Sequence, residues 1–482
     1  MSDADADPTP SPAGGAAPGE ASKRQRRSLV EGSVFGHMMR FVVPMSLALS
    51  AMMLVGLIDA FWLGQLSTNA LAAVSFAFPV MFAVMSISIG LSAGTIAAIS
   101  RVASAGDHSR LQRLATDAVL LAAVLVVIVS IVGVILTRPL FALMGAEGEI
   151  LDLVTTYAQI WFIGNLFVVA PSIANAILRA VGEAVLPSIM MTISAFVNMA
   201  LDPIFIFGLG PVPRLEVAGA AIATVVANAV AAAAVMWVVI VREKIVVFSL
   251  PPRDVLLRHW REILHVGLPA MGSNMVNPLA LSLVVASLAR FGAETVAGYG
   301  AAARVEMFAI IPMFAISAAI GPLTGQNLGA GRIDRVRESF RTAFIVAMGW
   351  SLAVAGLLAI AAPFLAPAFS DDPGAQAAMR TYLWITPITM GGYGVVIAAS
   401  AGFNGVSRPA PALAMTFLRS VVLLTSFVWI GGALGGPRGA FLGVAAANIV
   451  AGLLVGGWVL LRAYPPRVET APSAVDAMEP RG

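Results

Sequence analysis

The segment PSIMMTISAFVNMALDPIFIFGLG, residues 187–210, is largely apolar and contains a single charged residue, Asp202. Its length predicts a membrane-crossing helix, since about 20 apolar residues span the hydrocarbon core. The apolar segment 41–63 likewise contains one carboxylate, Asp59, and no basic residue. An isolated charge in a bilayer is costly and usually marks function. We therefore expect both carboxylates to belong to a functional site.

The composition of the whole chain is that of a membrane protein. Apolar residues make up 59% of the 482 positions and charged residues 11%, and the mean hydropathy is +0.89, which exceeds what a soluble core requires. Cysteine is absent, which excludes disulfides, cysteine metal sites and thiol catalysis. The basic residues follow membrane topology, so the net charge of +3 gives no indication of nucleic-acid binding.

Twelve apolar segments predict an all-α polytopic membrane protein with twelve transmembrane helices. Segments two and eight are about thirty residues long, which predicts tilt, bending or extension beyond the membrane. The segments cover approximately residues 41–63, 70–100, 118–137, 154–180, 187–209, 218–241, 263–289, 294–325, 342–365, 379–403, 409–431 and 439–462.

Basic residues fall mainly on one side of these segments, so the positive-inside rule predicts that both termini are cytoplasmic. Arg greatly outnumbers Lys, as in GC-rich bacteria, and we expect a bacterial inner membrane. The predicted divisions are a disordered tail with a basic run (1–36), a first lobe (37–241), a cytoplasmic linker (242–262), a second lobe (263–463) and a cytoplasmic tail (464–482).

The two halves of the chain repeat. An offset of 225 residues aligns Pro44 with Pro269 and Ala72 with Ala297, and an offset of 220 aligns Asn228 with Asn448. Six spans per copy make the repeat parallel, and substrate sites in such transporters lie between the halves. The sequence therefore predicts two pseudo-symmetric six-helix lobes.

The sequence gives little support to other function classes. The chain contains no GxxxxGK[ST] phosphate loop, no DDxxD and no HExxH. We therefore expect no enzyme and no ATP site, and active transport would draw on an ion gradient. We also expect no cofactor beyond a coupling ion and no nucleic-acid partner; the expected partners are small organic molecules and membrane lipids, and the chain is expected to be a monomer.

Several motifs together resemble the multidrug and toxic compound extrusion (MATE) family, in particular its DinF-like branch. The likeness runs from about residue 41 to 463. The motifs are GLIDAFWLGQL (56–66), RAVG (179–182), NMALDPIFIFG (198–208), GLPA (267–270), RVEMFAIIP (304–312) and GPLTGQNLGAGR (321–332).

The resemblance implies two lobes that open alternately to either side and export organic, often cationic compounds against entry of Na⁺ or H⁺. It implies that Asp59 and Asp202 are coupling residues, with Asn198 beside them and Thr224 as a possible helix-six threonine. Another branch uses acidic residues in helices seven and ten. Helix seven offers Asn274 and Asn277 but no carboxylate, and helix ten has none, so coupling is expected in the first lobe.

The spacing around Asp202 supports this site independently. Ser194, Asn198 and Asp202 recur every four residues and share one helix face. Pro203 removes a backbone donor and frees nearby carbonyl oxygens. Two carboxylates and these oxygens suit Na⁺, but the same pair could carry protons, and no other metal site is expected. The alternative is that each Asp only holds helices together.

Three charged residues in the second lobe have open roles. Arg304 and Glu306 are opposite charges two positions apart in helix eight, so they do not share a helix face. They could be structural, gating or substrate-binding residues. Arg419 in helix eleven could snorkel or line the central cavity. These two arginines keep a second transport hypothesis open, namely a flippase or exporter of a lipid-linked or conjugated metabolite.

Overall fold

The structure is a computed structural model that describes residues 28–105, 107–247 and 252–461. All regular secondary structure in those ranges is helical. The predicted basic run at 23–27 and the tail at 464–482 lie outside the described residues, as does most of the predicted N-terminal tail.

The described residues form twelve spans, numbered α1–α12. The first lobe contains α1 Val34–Leu66, α2 Thr68–Ala105, α3 His108–Leu143, α4 in two parts (Gly148–Ile163 and Asn165–Ala180), α5 Val185–Phe207, and α6 Glu216–Trp237, which continues as a π-helical turn, Val238–Arg242.

The second lobe repeats the arrangement. It contains α7 Arg253–Ala289, α8 in two parts (Ala293–Ala309 and Ile311–Gly329), α9 Ile333–Phe369, and α10, which is Pro373–Ile385, a 3₁₀ turn Pro387–Thr389, and Met390–Gly405. Helix α11 begins as Pro409–Phe417, continues through a π-helical turn, Leu418–Leu423, and runs into the segment Leu424–Leu461. A break in that last segment at Gly435 and Gly436 divides α11 from α12.

Most helices extend beyond the apolar windows seen in the sequence. Polar caps define several starts: the Asp107 carboxylate accepts a hydrogen bond from the Arg110 amide at 2.9 Å, and Asp372 accepts one from the Ala375 amide at 2.6 Å. Helix α7 begins at Arg253 instead of near residue 263. The segment predicted as a linker therefore contains the first helical turns of α7.

Two spans are sharply bent. The halves of α8 meet at 41°, as the length of segment eight suggested, whereas α2 is one helix throughout. Helix α4 bends by 46° at Gly164, which the sequence analysis did not foresee. A Cβ atom at Gly164 would come within 2.3 Å of the Val225 side chain. The bend therefore depends on close packing of α4 against α6.

The lobes meet at one end of the bundle, here called the base. The described chain begins at this end and, after an even number of spans, returns to it. The opposite end is called the mouth. Two buried apolar clusters combine residues of both lobes; in one, Met38 and Phe41 of α1 pack with Ile320 and Phe403. The other two clusters each contain residues of a single lobe. The first half of α8 packs within its own lobe, while the second half contacts α1, α2 and α4.

Helices α2 and α7 form the closest contact between the lobes. A Cβ atom at Gly90 would lie 2.6 Å from the Gly267 carbonyl oxygen, and one at Gly94 would lie 2.2 Å from the Ile263 carbonyl oxygen. Small residues allow such backbone approach in membranes.

The sequence GLSAG at 90–94 has the spacing of a hydrolase nucleophile motif, but it lies inside α2 with Ser92 buried. Its two glycines, Gly90 and Gly94, allow α2 to pack closely against α7.

Polar contacts reinforce the base. The buried Asp117 carboxylate of α3 contacts His259 Nδ1 of α7 at 2.6 Å, and the Trp260 indole donates to the Asp117 carbonyl at 3.1 Å. The Gln326 amide of α8 donates to the Ala180 carbonyl at 2.7 Å and accepts from the Leu29 amide at 3.1 Å. The base is therefore closed by both apolar packing and directed hydrogen bonds.

We expect Gly94→Ala to destabilise the closed base, because its methyl group overlaps the Ile263 carbonyl. Overpacking of this kind costs about 1–3 kcal/mol. Gly272→Ala in α7 is the matched control, since a Cβ atom there meets nothing within 4 Å. Thermal unfolding of the purified proteins in detergent should show a lower midpoint for Gly94→Ala alone. Equal midpoints for both variants would contradict the α2–α7 contact.

Candidate functional site

Helices α1 and α5 bring Asp59 and Asp202 together in the half of the first lobe that is nearer to the mouth. Their carboxyl groups are close enough to interact electrostatically. Asp202 has 0% of its surface exposed, whereas Asp59 is partly exposed. Two ionised carboxylates close to each other repel and are poorly solvated here. The pair therefore favours a shared proton or a bound cation.

Asn198 and Thr224 complete the polar side of this pair. The Asn198 amide nitrogen lies 3.4 Å from Asp202 Oδ1 and 3.4 Å from Thr224 Oγ1. The Thr224 hydroxyl itself donates to the Ala220 carbonyl at 3.1 Å. Since Asn198 lies one helical turn before Asp202, the α5 backbone fixes the spacing between the amide and the carboxylate.

Three oxygen atoms at the site are buried without a hydrogen-bond partner among the described residues: Asp59 Oδ1, Asp202 Oδ2 and Asn198 Oδ1. Buried acceptors without donors are unfavourable, so each is a position where a proton or cation would be stabilised. Carboxylate and amide oxygens are hard ligands suited to Na⁺. These oxygen ligands therefore suit Na⁺ or H⁺.

Pro203 and Gly208 shape the end of α5. The helix continues through Pro203, whose missing amide leaves the Met199 carbonyl without its usual helical donor. Gly208 ends the helix with a φ of +75°, and a Cβ atom there would lie 2.5 Å from the Arg214 amide nitrogen. A tight glycine turn thus returns the chain from α5 to α6, on which Thr224 lies.

Tyr157 of α4 is a member of the site that the sequence analysis missed. It is buried, and its phenol interacts electrostatically with both Asp59 and Asp202. One aromatic residue in an apolar helix gives no signal of its own. By contrast, the Ser194 hydroxyl donates to the Ala227 carbonyl at 3.3 Å. Ser194 thus joins α5 to α6, and among the described residues its hydroxyl makes no hydrogen bond to either carboxylate.

The second lobe contains a separate polar cluster. Glu306 accepts a hydrogen bond from the Tyr382 hydroxyl, and the Tyr382 ring packs edge-on against Tyr299 with centroids 5.2 Å apart. Arg304, two positions earlier, is exposed and has no acidic partner within the described chain. The two charges of α8 thus have different environments.

Arg419 is held inside the second lobe, with 8% of its surface exposed. Its Nη2 donates to Asn448 Oδ1 at 2.8 Å, and its guanidinium lies 3.7 Å from the centroid of the Tyr393 ring. Asn277 of α7 accepts a hydrogen bond from Ser420 at 3.0 Å, joining α7 to α11. The Asn274 amide donates to the Ala270 carbonyl of its own helix at 2.8 Å.

Comparisons with known proteins agree with this architecture. The MatE family model matches residues 44–204 and 269–430, one stretch in each lobe. A protein of Shewanella oneidensis named FAD transporter is 32% identical over 434 residues, covering 89% of this chain and 95% of that protein. The probable multidrug resistance protein YpnP of Bacillus subtilis is 27% identical over 423 residues, covering 86% of this chain and 92% of that protein.

Solved structures give the same result. The structure of a multidrug resistance MATE family transporter in an outward-facing conformation superposes with a TM-score of 0.83 at 28% identity, covering 90% of this chain and 97% of that chain. These relatives are transporters. With the family model matched in both lobes and the twelve-span fold shared, this chain belongs to the multidrug and toxic compound extrusion (MATE) family.

Proposed function

We propose that this protein is a secondary active efflux transporter that exchanges organic, often cationic amphipathic compounds for H⁺ or Na⁺. The observation that carries the proposal is the group of three unpartnered buried oxygens on Asp59, Asp202 and Asn198. A proton or cation bound there offsets the cost of two acidic groups in a bilayer. Binding free energy at this site is thus available to drive a conformational change.

The direction of exchange follows from the position of the base. Arg101, Arg110, Arg258 and Arg261 lie at the base, which by the positive-inside rule is cytoplasmic. The mouth then faces outward, and the partly exposed Asp59 gives an external ion access to the buried Asp202. Ion binding would favour the arrangement that releases substrate outward, and its release inward would favour the opposite arrangement.

We expect Asp59→Asn and Asp202→Asn each to abolish ion-driven efflux, because an amide carries no negative charge for the entering ion to neutralise. Each replacement is nearly isosteric, so the fold should be retained. The measurement is export of a cationic dye from proteoliposomes under separately imposed Na⁺ and H⁺ gradients. The gradient that drives export identifies the coupling ion.

Asp152→Asn is the matched control for this experiment. Asp152 lies on α4 at the surface and pairs with Arg138 at 2.8 Å, so its loss should leave export unchanged. Gradient-driven export by both Asp59→Asn and Asp202→Asn at the unsubstituted rate would overturn the coupling assignment.

Export of an anionic conjugated metabolite is a second candidate. Arg304 is exposed on a membrane-spanning helix, and an arginine facing lipid within the bilayer is costly. We infer that it faces the cleft between the lobes, where it would attract an anion. The Shewanella oneidensis relative named FAD transporter agrees with this candidate.

Arg304→Gln separates the two candidates. If anionic substrates are carried, the variant should lose export of FAD from preloaded proteoliposomes while keeping export of a cationic dye. The dye assay shows that the variant is folded and active. Export of FAD at the same rate with and without Arg304 would exclude a role for Arg304 in binding an anionic substrate.

A further inference from the structure

A cavity of about 440 Å³ lies at the base, at the opposite end of the bundle from the carboxylate site. Its volume lies in the range of small-molecule sites, roughly 300–1,000 Å³. One wall belongs to α2 of the first lobe, and the others belong to α7 and the turn between α10 and α11 of the second lobe. Its lining residues are Arg101, Arg258, Arg261, Glu262, His265 and Ser407.

The charge within this cavity is not balanced. Its one acidic group, Glu262, already accepts from Arg101 at 2.7 Å and lies 3.8 Å from Arg110. Arg258 and Arg261 are exposed and lack a carboxylate partner in the ranges that the structure describes. They are three positions apart on α7, and His265 follows four positions later, so all three share one helix face. The like charges of Arg258 and Arg261 on one face are unfavourable without a counter-ion.

We propose that this cavity binds a phosphoryl anion, either the headgroup of an anionic phospholipid or free phosphate. The planar guanidinium groups of Arg258 and Arg261 present paired N–H donors that match phosphate oxygens. Basic pockets between helices on the cytoplasmic side of membrane proteins bind such headgroups. The exposed face of α7 gives a headgroup access from the inner leaflet.

The bound anion would also act on the conformation of the transporter. Arg101 belongs to the first lobe and Arg258 and Arg261 to the second, so the cavity is complete only while the lobes meet at the base. A ligand that binds one conformation better than another shifts the equilibrium toward it. Anion binding would therefore stabilise the closed base, independently of which substrate or ion is transported.

The absence of cysteine allows this to be tested on the full chain with two introduced labels. Ser109→Cys at the start of α3 and Glu338→Cys near the start of α9 are exposed at the base, one on each lobe. The distance between spin labels at these positions reports the fraction of molecules with a closed base. The protein is reconstituted in phosphatidylcholine vesicles, with or without phosphatidylglycerol, and in a third arm with inorganic phosphate added to phosphatidylcholine vesicles.

We expect phosphatidylglycerol or phosphate to raise the ratio of closed to open base about five- to thirtyfold, which corresponds to one or two basic contacts. The arm that responds identifies the source of the anion. The double variant Arg258→Gln, Arg261→Gln should lose this response, while Arg341→Gln, an exposed arginine on α9, should retain it.

Three results would overturn the proposal. The first is an unchanged response in the double variant, which would mean that the anion acts elsewhere. The second is an equal loss of response in Arg341→Gln, which would reduce the effect to general surface charge. The third is the absence of any response in the unsubstituted chain.

Discussion

The backbone contact between α2 and α7 is the constraint on which the rest of the structure depends. Gly90 and Gly94 allow the two helices to approach until carbonyl oxygens take the place that side chains would occupy. This contact fixes where the lobes meet. Within a bilayer the apolar effect contributes little between helices, so such close packing and the Asp117–His259 and Gln326 hydrogen bonds must supply the attraction.

The lobes share one topology but differ in their polar chemistry. The repeat places Val284 opposite Asp59, and Val284 is a buried member of the second lobe's apolar cluster. Where the first lobe has a pair of carboxyl groups with unpartnered oxygens, the second has Glu306 bonded to Tyr382 and Arg419 bonded to Asn448. A satisfied network resists change, whereas an unsatisfied one responds to an ion. The physical difference supports coupling in the first lobe.

Hydropathy predicted twelve spans, because apolar length is set by bilayer thickness and can be read from one segment at a time. The internal repeat predicted the two lobes. It could not give the α4 bend at Gly164 or the true start of α7, since those depend on Val225 and on contacts with α3. At the candidate site, Asp59 and Asp202 were visible as isolated charges. Tyr157 was not, because a tyrosine in an apolar helix differs from its neighbours only through the residues that it contacts.

The positions of the two proposed sites have a consequence for the proposed alternating access. The carboxylate pair lies toward the mouth, and the arginine cavity lies at the base between lobes. If the lobes alternate as proposed, each site lies in a different part of the same two-state motion, and occupancy of one alters the affinity of the other when both prefer the same state. An anion that closes the base would then raise affinity for the coupling ion at Asp59 and Asp202 without contacting either residue, and the coupling ion would strengthen anion binding by the same factor.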